Sequence, residues 1–123
     1  MNWILVFLGG GTGAVARALA QMLVTTHGQP SHVGTMIINI IGCFIIGLLS
    51  PIFVGDSKWR MLLIVGFCGG FTTFSTFGAD MLNLLKEGQY LWFSLYTVIS
   101  VVVGLAAVIL GVFLTKQILL KHV

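Results

Sequence analysis

An all-α integral membrane protein of four transmembrane helices is the fold this sequence predicts, and three observations predict it. Charged residues make up 7% of the 123 and hydrophobic ones 58%, where a soluble domain carries about 25% charged residues. Mean hydropathy is +1.09. The six Lys and Arg and three Asp and Glu fall mostly between four apolar windows, each longer than the ~20 residues that cross about 30 Å of hydrocarbon. In lipid every backbone N–H and C=O must be satisfied internally, so the windows are helices. Residues 1–123 read as a single membrane domain, with no room for a separate catalytic one.

The first span, 3–25, holds one charge, Arg17. It is not expected to be a cleaved signal, because no cation precedes it and it is too long for an h-region. A turn-rich break, His27-Gly28-Gln29-Pro30-Ser31-His32, leads to the second span, 33–54, which has no charge. Gly55-Asp56-Ser57-Lys58 leads to the third, 61–85, with Asp80 alone. Lys86-Glu87-Gly88 leads to the fourth, 89–115, again uncharged. Four spans put both termini on one side with Lys58, Arg60, Lys116 and Lys121, and leave Lys86 on the other. The positive-inside rule then places the termini in the cytoplasm. Four short helices leave little lumen, so a conduction path is expected between subunits of a homo-oligomer, most simply a dimer. Gly9 with Gly13, Gly66 with Gly70, and Ala14 with Ala18 offer close helix approach at four-residue spacing.

The net charge of +3 reflects few acids rather than an anionic partner. The cations form no stripe for phosphates, so no nucleic acid is expected. Cys43 and Cys68 lie in apolar runs without metal-ligand spacing, and His27, His32 and His122 sit near loops or the end of the chain. Gly9-Gly10-Gly11-Thr12-Gly13-Ala14 formally fits a dinucleotide fingerprint, but that motif needs a preceding strand; here it belongs to an apolar helix. No nucleophile–base–acid set exists, so no enzyme is expected.

Polar groups at membrane depth cost free energy and become functional candidates. Asn39 shares a face with Thr35 and Gly42 by helical spacing. It either makes an interhelical hydrogen bond or presents an amide donor to a pore. The densest cluster is Gly69-Gly70-Phe71-Thr72-Thr73-Phe74-Ser75-Thr76-Phe77-Gly78. Adjacent glycines weaken a helix by roughly 1 kcal/mol each, and the hydroxyls offer local alternatives to the helical ladder. The third helix is therefore expected to be broken near its middle, where freed carbonyls can coordinate a cation. Phe71, Phe74 and Phe77 recur every three residues; they either pack or turn electropositive ring edges toward an anion. Tyr96 and Ser100 share a face of the fourth span, whereas Tyr90 and Trp92 read as an interfacial belt. Arg17 either snorkels or marks a water-filled vestibule, and Asp80 is a candidate partner for it.

Two strings carry a resemblance. At Gly34-Thr35-Met36-Ile37-Ile38-Asn39-Ile40-Ile41-Gly42 and at Gly69-Gly70-Phe71-Thr72-Thr73-Phe74-Ser75-Thr76-Phe77, the sequence resembles the Fluc (CrcB) family of fluoride ion channels. The likeness covers essentially the whole chain, including Gly13 and Arg17. It implies an antiparallel, dual-topology homodimer in the bacterial inner membrane. Two pathways would let fluoride leave passively and protect the cell from its toxicity. It implies that Asn39 faces a pore, that Phe74 and Phe77 supply ring edges from both subunits, and that Tyr96 and Ser100 form a polar track. Ser75 and Thr76 would add donors. Carbonyls of Gly69 and Thr72 would hold a structural Na+ on the two-fold axis, and Arg17 would lie near a vestibule. The chain departs from the family pattern at Gly104, which lacks a hydroxyl some relatives carry, and at Asp80, where a longer Glu is common. Its charge bias also favours one orientation, whereas dual topology prefers near balance. The competing readings are a proton-coupled small multidrug exporter, which needs a membrane carboxylate in its first span, and a structural subunit of a larger complex.

Overall fold

The computed structural model describes residues 2–122. Four helical units are long and apolar enough to cross a membrane, and no strand occurs among the described residues. The first is α1, Trp3–Thr26, and the second is α2, Ser31–Leu49. The third comprises α3, residues 57–71, and α4, Phe74–Lys86. Within α3 a first turn, Ser57–Trp59, widens into a π-helical stretch, Arg60–Cys68, and closes with Gly69–Phe71. The last unit is α5, Tyr90–Lys121.

Helix ends follow local chemistry. After α1, Gly28 at φ 76° lets its N–H reach the Thr25 carbonyl and the Gln29 N–H reach the Val24 carbonyl. After α4, Gly88 at φ 70° does the same, with N–H bonds from Gly88 to Leu85 and from Gln89 to Leu84. Both are Schellman turns, for which a left-handed glycine is the natural residue. Asp56 starts α3 by accepting from the N–H groups of Lys58 and Trp59 at 3.0 and 3.2 Å. The second helix stops at Leu49 rather than at the expected position 54, because Pro51 has no N–H and its ring clashes with the preceding turn. The fourth runs past 115 to Lys121; its 32 residues span roughly 48 Å, so it outreaches a hydrocarbon layer of about 30 Å.

Two glycine crossings bind the spans. A Cβ on Gly9 would strike the Leu62 carbonyl, one on Gly13 the Phe67 carbonyl, and one on Gly70 the Gly10 carbonyl. The small-residue pairs of α1 and α3 thus meet each other, backbone against backbone. A second crossing joins α2 to α5. There a Cβ on Gly47 would strike the Val108 carbonyl, and one on Gly111 would lie 2.6 Å from the Phe44 carbonyl. Next to it the Thr115 hydroxyl donates to the Leu48 carbonyl at 2.9 Å. These contacts fix α2 against α5 and α1 against α3, and set the segment between α3 and α4 among them.

Candidate functional site

Between α3 and α4 two residues leave the helical region. Thr72 has φ −80° and ψ 157°, and Thr73 has φ −149° and ψ 114°. Extended backbone at this depth strands donors and acceptors, and the fold answers each in a specific way. In a continuous helix the Thr73 N–H would bond the Gly69 carbonyl; here it donates to Asn39 Oδ1 at 2.7 Å. Asn39 Nδ2 returns a bond to the Thr73 carbonyl at 3.0 Å. The Thr76 N–H, the helical partner of the Thr72 carbonyl, donates instead to Thr73 Oγ1 at 3.2 Å, which caps α4. The two redirected donors leave the Gly69 and Thr72 carbonyls without their usual i+4 partners.

Thr73 also gathers hydroxyls. Its Oγ1 donates to Thr76 Oγ1 at 2.9 Å and lies 3.3 Å from Ser75 Oγ. Ser75 and Thr76 are therefore held at the start of α4, both exposed on the protomer. On the other flank the Thr72 hydroxyl donates back to the Cys68 carbonyl at 2.9 Å.

A mostly apolar recess of about 280 Å³ opens beside this segment, bordered by Asn39, Cys43, Thr73, Phe74, Phe77 and Ser100 among others. Four of the seven residues expected along an anion path thus share one concavity. The rings of Phe74 and Phe77 lie 5.9 Å apart at 42°. Their environments differ sharply: Phe74 is 83% exposed and Phe77 only 8%. Ser100 Oγ is fully buried and makes no hydrogen bond, although a helical serine ordinarily bonds back to the preceding turn.

Tyr96 stands behind Phe77 rather than on the recess. Its ring packs 5.1 Å from Phe77 and edge-on to His32 at 5.6 Å. The hydroxyl donates to Asp80 Oδ2 at 3.1 Å, and both residues are buried. Asp80, a candidate partner for Arg17, is held by Tyr96. Arg17 instead borders a separate recess of about 210 Å³ with Gln21, Ser31, Thr35, Thr73 and Thr76. Thr73 lines both recesses and so stands between the hollow that Arg17 borders and the aromatic one. Trp92 reaches His32, with ring centroids 6.3 Å apart.

Thr73 is the residue that sequence reasoning left out of the site. Its signal was partial: threonine is a favoured N-cap residue, but no Glu or Gln stands three positions on to complete a capping box. Cys43 was also passed over, though it lies one turn beyond Asn39 on the same helix.

A family model described as "CrcB-like protein, Camphor Resistance (CrcB)" matches residues 4–112. This chain belongs to the CrcB family. Its full-length relatives include a protein of Gloeothece citriformis, 45% identical over 120 residues, covering 93% of this chain and 96% of the relative. One from Phocaeicola vulgatus is 43% identical over 118 residues, covering 92% and 97%. One from Solibacter usitatus is 40% identical over 123 residues, covering 95% and 100%. Each relative is named "Fluoride-specific ion channel FluC". In this CrcB chain, the matched region reaches into all four helical units, ending within α5, and takes in the extended Thr72–Thr73 pair and every residue of the aromatic recess.

Proposed function

We propose that the chain is a fluoride-selective channel of a bacterial membrane, through which fluoride leaves passively. The observation that carries this reading is the recess itself. It combines two aromatic rings, the Asn39 amide and an unpartnered Ser100 hydroxyl, and no Lys or Arg borders it. A fixed cation would hold a small hard anion too tightly to release it. Ring edges and neutral donors replace its water while leaving binding weak enough for conduction. The names of the full-length relatives support the same reading.

In this mechanism Arg17 and the hydroxyls of its hollow attract the anion to the vicinity of Thr73 and Thr76. Ser75 and Thr76, at the N-terminal end of α4, add donors where a helix favours negative charge. Asn39 has a second amide hydrogen beyond the one given to Thr73, which serves the aromatic side. Phe74, Phe77 and Ser100 then carry the ion along the apolar recess, with Tyr96 holding the Phe77 ring in place. The membrane potential, about 2.3 kcal/mol per charge per 100 mV, drives the anion out of a cell that is negative inside.

An antiparallel homodimer completes the path. Its support is the polar backbone at the helix break, where the Gly69 and Thr72 carbonyls lose their helical donors, which lipid cannot satisfy and a second copy can cover. The third span acts as a broken helix. The donor set fits a structural Na+: the Gly69 and Thr72 carbonyls lose their helical partners, and hard carbonyl oxygens suit that ion. Bound Na+ would supply charge to these carbonyls and tie two copies together.

The deciding experiment is fluoride-electrode efflux from liposomes containing the purified protein. Rapid passive fluoride release with chloride retained is the expected result. Chloride release at a comparable rate would overturn the reading.

A further inference from the structure

We propose that the Cys43 thiol is a working donor of the anion path, taking the place of a side chain that α5 lacks. On α5 the face that carries Tyr96 and Ser100 continues one turn later to Gly104, which has no side chain. The space opposite Gly104 is filled from α2: Cys43 Sγ lies 3.5 Å from where a Gly104 Cβ would stand. Cys43 is one turn beyond Asn39 and borders the same recess as Asn39, Phe77 and Ser100. The two helices are locked at this level by the Gly47–Gly111 crossing, so the thiol's position is set by backbone contact.

Two comparisons separate this role from ordinary packing. Cys68, the other free cysteine, is 0% exposed and closed inside the protein. Cys43 is only half-buried and faces the recess. A second polar group points to a ligand in the same place: Ser100 Oγ, one turn from Gly104, is fully buried and unpartnered. An anion moving past Ser100 therefore meets the Cys43 S–H next. A thiol is a weak donor, which suits a passage that must release its ion as well as receive it. The assignment rests on the channel reading and adds a chemical liability to it. A thiol in the path binds soft cations, which hydroxyl and amide donors do not.

The test uses full-length protein in liposomes and reads the initial rate of fluoride efflux, in nitrate buffer to keep silver soluble. Ag+ replaces the thiol proton, forming one S–Ag bond and releasing one H+. Silver is expected to block wild type and Cys68→Ala, and to leave Cys43→Ser conducting. Without silver, Cys43→Ala should lose about three- to tenfold in rate, the scale of one modest hydrogen bond, and Cys43→Ser should recover part of that loss. Silver block that persists in Cys43→Ser, or a Cys43→Ala rate equal to wild type, would overturn the assignment while leaving the channel reading intact. Absence of fluoride efflux from untreated wild type would overturn both.

Discussion

Asn39 and Thr73, 34 positions apart in sequence, exchange two hydrogen bonds of 3.0 and 2.7 Å. One side chain thereby satisfies both backbone groups of an extended residue at membrane depth, where no water replaces them. Thr73 also borders both the Arg17 hollow and the aromatic recess, and Asn39 the latter. Asn39 thus makes the interhelical hydrogen bond that was one of its two readings, and it also borders the recess.

Asn39→Leu should be the most damaging single substitution at the site. It orphans the Thr73 N–H and C=O together, at about 1–3 kcal/mol for each buried group. Thermal unfolding in detergent should shift down, and fluoride efflux should fall with it. Asn39→Asp still accepts from the Thr73 N–H but cannot donate to its carbonyl, so it should fall between. An Asn39→Leu protein with wild-type melting would show that the pair is not structural.

The glycine crossings make a contrast that a melting curve can read. Gly9→Ala drives a methyl into the Leu62 carbonyl, while a Cβ on Gly11 meets nothing within 4 Å. Gly9→Ala should destabilise by about 1–3 kcal/mol, as overpacking does. Gly11→Ala should be neutral or gain up to roughly 1 kcal/mol of helix propensity. Equal melting temperatures for the two variants would contradict the backbone contact between α1 and α3.

The helical units were legible because charge is costly in hydrocarbon, so Lys58, Lys86 and Glu87 had to mark the connectors. Glycine spacing exposed the α1–α3 crossing for a similar reason: only a missing Cβ admits such contact. The Gly47–Gly111 crossing was legible only on one side: Ala107 stands four residues before Gly111, but Gly47 has no glycine or alanine four residues away. The Asn39–Thr73 pair was invisible for a different reason. Which side chain meets which backbone group depends on the register between α2 and α4, and local sequence does not encode that register. The same register seats Asp80 against Tyr96, leaving Arg17 in a different hollow.

The Tyr96–Asp80 bond predicts how the carboxylate behaves. Asp80→Asn keeps an acceptor for the Tyr96 hydroxyl, so fluoride efflux should persist with no new dependence on pH. Asp80→Leu leaves that buried hydroxyl without an acceptor, and should lower the melting temperature by an amount corresponding to about 1–3 kcal/mol. Loss of transport in Asp80→Asn, together with loss of a pH dependence present in wild type, would favour a proton-coupled exporter.

Removal of Na+ tests the freed carbonyls of Gly69 and Thr72. Purified protein exchanged from Na+ into N-methylglucamine should lose dimer stability in detergent, read by size exclusion and by melting. Restoring Na+ should restore both. A dimer indifferent to the cation would remove the structural-ion reading without touching the fluoride path.

Phe74 and Phe77 should lose function together but stability separately. Phe77 is buried against Tyr96 with centroids 5.1 Å apart, whereas Phe74 is 83% exposed on the protomer. Replacing Phe77 with isoleucine forfeits an aromatic pair worth about 0.5–1.5 kcal/mol beyond its area, so Phe77→Ile should melt lower and conduct less. Phe74→Ile removes a mostly exposed ring that meets the Phe77 ring at 5.9 Å in its own chain, a contact that isoleucine keeps in part. It should lower the melting of the dissociated protomer less than Phe77→Ile does while reducing fluoride efflux as severely, because in the proposed path ring edges rather than bulk meet the ion. Full fluoride flux in both variants would rule out the aromatic mechanism. A Phe74→Ile protomer that melts as low as Phe77→Ile would mean the ring is held by its own chain and is not available to an ion.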